Sequence, residues 1–129
     1  MLVRELIGAQ VDSCTSDTKA EQAARRMLDD DVGSLAVIDG GELVGIVTER
    51  DLIAVVAGGC RDTVVGEVMT PRPDFLSPDI EVDDAADWMM AAGYRHLPVV
   101  DAGRIVGMLS IKDVLWALTQ RRVRWSDEP

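Results

Sequence analysis

Apolar and polar residues follow each other along this chain first with the period of a helix and then with that of a strand. A helix is predicted from Thr18 to Asp30, where apolar residues recur at helical spacing and Thr18 with Glu21 fits a capping box. Strands are predicted from Leu35 to Ile38 and from Leu43 to Val47, joined by a tight turn at Asp39-Gly40-Gly41. A further helix follows the second strand.

The same order returns 62 residues later, without a gap. The second helix runs from about Glu81 to Ala92 and ends at Gly93, and the strands Leu97 to Val100 and Ile105 to Leu109 are joined through Asp101-Ala102-Gly103. A short helix within Val64 to Met69 begins the second copy. Each copy is too short to bury a good core alone, so we expect the two copies to pack together about a pseudo-twofold axis.

These repeats predict the organisation of the chain as one compact module. Repeat 1 is expected at residues 1–62, with a linker at its end from Gly58 to Asp62, and repeat 2 at residues 63–120. Residues 121–129 form a C-terminal tail outside the repeat, with frayed final residues.

Three helical stretches are apolar around their whole circumference. They are Leu52 to Ala57, Val114 to Leu118 and the helix that carries Trp88, Met89 and Met90. A helix without a polar face is buried on more than one side, so the pattern predicts a homodimer with these helices at the interface. The alternative is a monomer in which the two repeats cover all this surface.

Composition and charge exclude several classes of function. The chain has 129 residues and a formal net charge of −10, which disfavours binding to nucleic acid or to an anionic membrane. No apolar stretch is long enough to cross a bilayer, and Arg4 and Glu5 interrupt the candidate signal-peptide core, so we expect a cytoplasmic protein. Cys14 and Cys60 suggest neither a disulfide framework nor a zinc site, and we expect no metal site.

The chemically informative motif is Gly-x-x-Thr/Ser-x-x-Asp, which occurs at Gly45 to Asp51 and again at Gly107 to Asp113. Its structural interpretation is a hydroxyl and a carboxylate that cap a helix N-terminus. Its functional interpretation adds the basic residues Arg50 and Lys112 and glycines that let a ligand approach the backbone. Free amides, a hydroxyl and a cation suit a phosphate, and the carboxylate suits ribose hydroxyls, so the motif indicates a nucleotide.

An enzyme is not expected. With one histidine and two separated cysteines, no nucleophile or acid–base set assembles. Ser110, His96 and Asp113 could be grouped on paper, but the repeat accounts for each of them.

The chain resembles a tandem pair of cystathionine-β-synthase (CBS) domains, a Bateman module. The resemblance is carried by Val68-Met69-Thr70-Pro71, by Tyr94-Arg95-His96-Leu97-Pro98-Val99-Val100-Asp101 and by both Gly-x-x-Thr/Ser-x-x-Asp motifs, and the two copies cover about Leu2 to Thr119. It implies a stand-alone module of the α+β class, with a β-α-β-β-α unit in each copy. Two clefts between the copies would take adenosyl ligands such as AMP, ADP, ATP or S-adenosylmethionine, with no obligatory cofactor.

The resemblance also implies the binding residues of each cleft. The first cleft would use the motif residues Thr48, Arg50 and Asp51 together with Thr70, Phe75, Leu76, Tyr94 and Arg95. The second would use the motif residues Ser110, Lys112 and Asp113 together with Ser13, Cys14, Val32, Gly33, His96 and Met108. The aspartates would hold ribose, and Arg95 and His96 stand where basic residues reach phosphates.

The first copy departs from the family pattern at two positions. Gly8 stands where the second copy has Thr70, and Ala36 where it has Pro98. If only one cleft binds, we therefore expect the Asp51 cleft to be the one that does.

Two functions remain open from the sequence. The first is a non-catalytic sensor that binds an adenosyl ligand and signals to a partner protein. The second is a ligand-free homodimerisation scaffold, which explains the apolar helices but leaves the retained Asp, Thr/Ser and Arg/Lys positions without a purpose.

Overall fold

The structure is a computed structural model that describes residues 1–8, 10–59 and 62–126, with side chains as far as residue 120. The chain divides into two compact units, and the division does not follow the repeat boundaries. The central unit is Gln10–Asp74, and the split unit joins Met1–Ala9 to Phe75–Pro129. The beginning of each repeat is thus built into the unit that contains the other repeat's hairpin.

The central unit is a four-stranded sheet with helices. Its elements in chain order are β1 (Ser13–Cys14), α1 (Ala20–Asp30), β2 (Ser34–Asp39), β3 (Glu42–Thr48), α2 (Glu49–Gly58), α3 (Val65–Val68) and β4 (Thr70–Pro71). The strand order is β1-β2-β3-β4, in which β1 runs parallel to β2 and the other neighbours are antiparallel. Its core combines apolar residues of α1, the hairpin, α2 and α3, namely Ala20, Ala23, Met27, Leu35, Val37, Val47, Leu52 and Val65.

The split unit repeats the hairpin and its two helices. Its elements are a short 3-10 helix (Val3–Glu5), α4 (Val82–Ala92), β5 (His96–Asp101), β6 (Arg104–Ser110) and α5 (Ile111–Ser126). The strands β5 and β6 pair antiparallel, and Leu76 adds a parallel bridge to Val99. Its buried core includes Val3, Leu76, Val82, Ala85, Met89, Leu97, Val99, Leu109, Val114 and Ala117.

Most predicted elements are confirmed, but the capping box at Thr18 is wrong. The helix begins two residues later, at Ala20, and Lys19 is its N-cap residue. Thr18 instead accepts a hydrogen bond at Oγ1 from the N–H of Thr15 (3.2 Å), while the N–H of Lys19 donates to Gln22 Oε1 (3.3 Å). The Thr18 hydroxyl is used in the turn that precedes the helix, so the helix starts only after it.

Two helices extend into the segments that were predicted as the linker and the tail. Gly58 belongs to α2, and Gly59, with φ of 71°, ends the helix in the left-handed region. Cys60 and Arg61 of the predicted linker lie outside the described residues. Helix α5 continues to Ser126, into the predicted tail.

Both hairpins turn through two residues with positive φ. In the first, Gly40 and Gly41 have φ of 57° and 82°, and in the second Ala102 and Gly103 have φ of 51° and 80°. Two consecutive positive φ values define the turn that matches the twist of a hairpin. Alanine is strained in this region because of its Cβ.

Within residues 1–8, 10–59 and 62–126, no helix is long and apolar enough to cross a bilayer.

Candidate functional site

The first Gly-x-x-Thr/Ser-x-x-Asp motif forms the junction between β3 and α2. Thr48 donates two hydrogen bonds to Asp51 Oδ2, from its N–H at 2.8 Å and from its hydroxyl at 3.1 Å. The N–H of Asp51 donates back to Thr48 Oγ1 at 3.4 Å. The carbonyl of Gly33 accepts from the N–H of Glu49, the first residue of the helix, at 3.0 Å. The start of α2 is therefore fixed by the Thr48–Asp51 hydrogen bonds and by the bond to the residue that precedes β2.

The second motif builds the same junction between β6 and α5. Ser110 donates to Asp113 Oδ2 from its N–H at 3.0 Å and from its hydroxyl at 2.9 Å, and the Asp113 N–H returns a bond to Ser110 Oγ at 3.2 Å. The carbonyl of Arg95 accepts from the N–H of Ile111 at 2.8 Å. The capping interpretation of the motif is confirmed in both copies.

The capping bonds occupy only one oxygen of each carboxylate. Asp51 and Asp113 are both half-buried, and every hydrogen bond from the described residues to either carboxylate goes to Oδ2. Oδ1 of each has no partner within the described part of the chain, and the neighbouring Arg50 and Lys112 are exposed. Capping and ligand binding are therefore compatible at one residue, because they use different oxygens.

The glycines of the motif have a structural purpose besides the approach for a ligand that the sequence suggests. A Cβ at Gly45 would lie 2.5 Å from Met69 Sδ and 2.9 Å from the Thr70 carbonyl oxygen. A Cβ at Gly107 would lie 2.7 Å from Ile7 Cβ. In each unit the beginning of the other repeat thus packs directly on the glycine.

The other predicted site residues of the central unit lie around the β2–β3 hairpin. Ser13 and Cys14 form β1 and pair with β2, Val32 and Gly33 directly precede β2, and Thr70 on β4 is exposed and pairs with Ile46. Burial raises the pKa of the Cys14 thiol, with Asp39 adding to the shift and Arg26 opposing it.

Ser13 and Cys14 also line an open groove of about 520 Å³ against α1, together with Thr15, Thr18, Gln22, Ala23, Arg26 and Ile38. Beside Arg26, burial and a hydrogen bond with Asp30 raise the pKa of the Asp12 carboxyl. The groove is therefore lined by both polar and apolar side chains and has charged residues near it.

The predicted site residues of the split unit differ in how they are exposed. Phe75 and Arg95 are exposed, and Tyr94, His96 and Met108 are half-buried. Leu76, by contrast, is 2% exposed and packs into the core. Its N–H donates to the Pro98 carbonyl at 2.9 Å and its carbonyl accepts from Val100 at 2.8 Å.

Sequence reasoning missed one neighbour of this site, Trp88. Its ring lies 5.9 Å from that of Tyr94, centroid to centroid, at an interplanar angle of 87°. The signal was present in Gly93, because a left-handed residue after a helix folds the next residue back onto the last turn. The N–H of Tyr94 accordingly donates to the Met89 carbonyl at 2.9 Å.

The chain belongs to the CBS domain family. The family model matches twice, at residues 3–58 and 65–120. Among curated relatives, an uncharacterized 17.7 kDa protein of Acidianus ambivalens is 39% identical over 75% of this chain, and the mitochondrial CBS domain-containing protein CBSX3 of Arabidopsis thaliana is 35% identical over 81% of it. The chain spans 60% and 55% of the lengths of these two relatives.

Solved structures of CBS domain pairs share the fold. The CBS domain pair of protein MJ0100, in complex with 5′-methylthioadenosine and S-adenosyl-L-methionine, is 25% identical with a TM-score of 0.87, covering 94% of this chain and 98% of that one. CBSX2 in complex with AMP is 29% identical with a TM-score of 0.82, with the same coverage of both chains, and is a protein of Arabidopsis thaliana. The predicted α+β class and the tandem CBS organisation are confirmed.

Proposed function

We propose that this chain is a non-catalytic sensor module that binds an adenosyl ligand, AMP, ADP, ATP or S-adenosylmethionine, and signals its presence to a partner protein. The observation that carries the proposal is that Oδ1 of Asp51 and of Asp113, beside a helix N-terminus and a basic residue, accepts no hydrogen bond from the residues that the structure describes. The two ribose hydroxyls of a nucleoside donate to such an oxygen, and the exposed Arg50 or Lys112 attracts phosphate or another anionic group. The ligands of MJ0100 and CBSX2 support the adenosyl class.

The remaining predicted contacts are part of the same proposal. The family resemblance assigns Thr70, Phe75, Tyr94 and Arg95 to the ligand of Asp51, and it assigns Ser13, Cys14, Val32, Gly33, His96 and Met108 to the ligand of Asp113. The resemblance also assigns Leu76 to the ligand of Asp51, although its side chain is buried in the core. A sensor further requires that the ligand bind two states of the module with different affinity.

Calorimetry on the full chain tests the ribose contact directly. We expect saturable binding of at least one among AMP, ADP, ATP and S-adenosylmethionine, with NAD as a further comparison. If AMP binds, 2′-deoxy-AMP should bind more weakly, because it lacks one of the two hydroxyls that the carboxylate accepts. Asp51→Asn should weaken AMP binding about 10- to 100-fold, the effect of losing charge-assisted hydrogen bonds.

Two further variants make this test specific. Asp113→Asn reports the second site, and Asp87→Asn, an exposed residue of α4, is the control for lost charge and should leave the affinity unchanged. Equal binding of AMP and its 2′-deoxy analogue would contradict the ribose contact. Intact binding in Asp51→Asn together with lost binding in Asp113→Asn would contradict the preference for the Asp51 site.

Exposed apolar side chains favour a second candidate function, homodimerisation. In the central unit Leu28, Ile53 and Val56 are 82%, 67% and 81% exposed, and a groove of about 470 Å³ lies between α1 and α2. In the split unit Met90, Leu115, Trp116 and Leu118 are exposed as well. Isolated apolar residues are ordinary on a surface, but clusters on helices mark interfaces, and we propose a second copy of this chain as the partner.

Sedimentation velocity tests the dimer. The wild-type chain should sediment as a dimer at micromolar concentration, and Ile53→Glu with Val56→Glu should shift it to a monomer with unchanged helical circular dichroism. Glu49→Gln, also exposed on α2, is the matched control and should leave the dimer intact. A wild-type monomer would contradict dimerisation. A dimer that binds none of the five ligands would favour the ligand-free scaffold over the sensor.

A further inference from the structure

One pair of aromatic rings is in contact within the described part of the chain. Trp88 on α4 and Tyr94 just after it meet edge to face, with centroids 5.9 Å apart and planes at 87°. This is the arrangement that the charge distribution of aromatic rings favours. Trp88 is 37% exposed and Tyr94 is half-buried, so the pair lies at the surface of the split unit and not in its core.

The backbone fixes the position of Tyr94 independently of Trp88. Gly93 has φ of 76°, and the N–H of Tyr94 is held by the Met89 carbonyl at 2.9 Å. With the backbone fixed, the orientation of the ring depends on two side-chain torsions, which the contact with Trp88 restricts. The contact with Trp88 therefore narrows the orientations that are open to the ring.

We propose that Trp88 is a positioning residue that holds the Tyr94 ring in the orientation in which it contacts the base of the bound nucleotide. The inference rests on the proposed function, in which Tyr94 is a ligand contact. A side chain that is ordered in advance loses less conformational freedom when it binds. Trp88 thus strengthens recognition of the base without touching the ligand.

The first copy lacks this device. The residues equivalent to Trp88 and Tyr94 are Arg26 and Val32, and Ser13 stands where the second copy has Phe75. Neither Arg26 nor Val32 has an aromatic ring, so the first copy cannot form such a pair. The positioning role is therefore assigned to the second copy.

The test is a double-mutant cycle read by calorimetry on the full chain, with AMP or, if another adenosyl ligand binds more tightly, with that ligand. Trp88→Leu should raise the Kd about three- to tenfold, the usual value of an aromatic pair. In a chain that already carries Tyr94→Leu, the same substitution should change the Kd less than twofold, because no ring remains to be positioned. Trp88→Phe keeps an aromatic partner and should bind within about twofold of the wild-type chain.

Two controls separate positioning from general structural damage. Asp87→Asn changes the exposed residue beside Trp88 on α4 and should leave the Kd unchanged. Ribose 5-phosphate, measured in competition with AMP, lacks the base, and its affinity should be the same in Trp88→Leu as in the wild-type chain. Sedimentation of Trp88→Leu shows whether the substitution acts instead through self-association.

The outcomes distinguish this inference from the proposed function. If the wild-type chain binds no adenosyl ligand, the proposed function is wrong and the inference falls with it. If it binds AMP but Trp88→Leu binds equally well, or weakens AMP equally with and without Tyr94, only the positioning role is wrong. If the Trp88→Leu chain does not fold, the AMP affinities of Trp88→Phe and Trp88→Met are compared instead. Equal affinity of those two variants would overturn the inference.

Discussion

The central and split units arise from one duplicated sequence, yet they differ in how the strand beside the hairpin is paired. In the central unit Ser13 and Cys14 form a two-residue strand, supported by the Ala36 N–H, which donates to the Asp12 carbonyl at 3.0 Å. In the split unit the equivalent pairing is a single bridge from Leu76 to Val99. Pro98 stands where the first copy has Ala36, and a proline has no N–H to donate.

The two units also differ in where they place residues with positive φ. The first hairpin turn begins with Gly40 and the second with Ala102, whereas the C-cap residue of α1 is Asp31 (φ 53°) and that of α4 is Gly93 (φ 76°). Each unit therefore carries one strained residue at a position where the other has glycine. The backbone conformation is the same in both copies even where one copy lacks the glycine that suits it best. A packed fold tolerates about one or two kcal/mol of such local strain.

The largest effect is expected where the units agree, at the glycines of the two motifs. Gly45→Ala and Gly107→Ala should each lower the free energy of unfolding by about 2 kcal/mol or more, since a Cβ there meets the packed beginning of the other repeat. Gly58→Ala, in α2 with open space around it, is the matched control and should be neutral or slightly stabilising. Urea denaturation measures all three, and equal midpoints would contradict the packing argument.

The second-largest effect should come from exchanging the two residues that account for the difference in strand pairing. Ala36→Pro removes the hydrogen bond to Asp12 and adds a ring at a buried position, so it should cost about 2 kcal/mol. The reciprocal change, Pro98→Ala, restores an N–H to the split unit and leaves a smaller side chain at a buried position. Thermal unfolding should show a clearly larger loss for Ala36→Pro. Equal losses of stability in the two variants would contradict the role of the Ala36 N–H in the strand pairing.

A smaller effect should follow from exchanging the strained turn residues. Ala102→Gly relieves the left-handed alanine and should stabilise the protein by about 0.5 to 1 kcal/mol, less than the full strain because glycine also gains freedom in the unfolded chain. Gly40→Ala introduces the same strain into the first hairpin and should destabilise by a similar amount. Effects of the same sign in the two variants would show that the turns are not equivalent.

The smallest effect should be on the pH dependence of stability, and it arises from a carboxyl group of the central unit. Ser16 donates its N–H (2.9 Å) and hydroxyl (2.5 Å) to Asp39, which lowers the pKa of Asp39 below its ordinary 3.8, whereas the second copy has Pro78 in place of Ser16. A lowered pKa contributes stability above the ordinary value, and that stability is lost as the pH falls through the native value. Asp39→Asn should therefore reduce the loss of stability on acidification from pH 5 to 3. Asp101→Asn, at the equivalent turn, controls for the lost charge.

Much of the fold could be predicted because it depends on local patterns. The hairpins follow from alternating apolar residues around glycine-containing turns, and the caps of α2 and α5 follow from a hydroxyl three residues before a carboxylate. The start of α1 was misplaced because Thr18 has two possible uses, a helix cap and a turn, and only the Thr15 N–H decides between them.

The candidate site was predicted less completely because parts of it depend on contacts between distant segments. The spacing of the motif identified Asp51 and Asp113, but not that one oxygen of each is already used. The contact of Ile7 with Gly107 joins residues a hundred positions apart, and no pattern within either repeat specifies it. Nor does a periodicity distinguish Leu76, which is buried, from the exposed Phe75 beside it.

The division into a central and a split unit has a consequence for how the chain acquires its structure. All of the central unit is contiguous, so it can form as soon as Asp74 has been synthesised. The split unit joins two segments that residues 10–74 separate in sequence, since the Val3 N–H donates to the Ile80 carbonyl at 2.9 Å, and closing so long a loop is entropically costly. We therefore expect the central unit to fold first and the split unit to be completed after it.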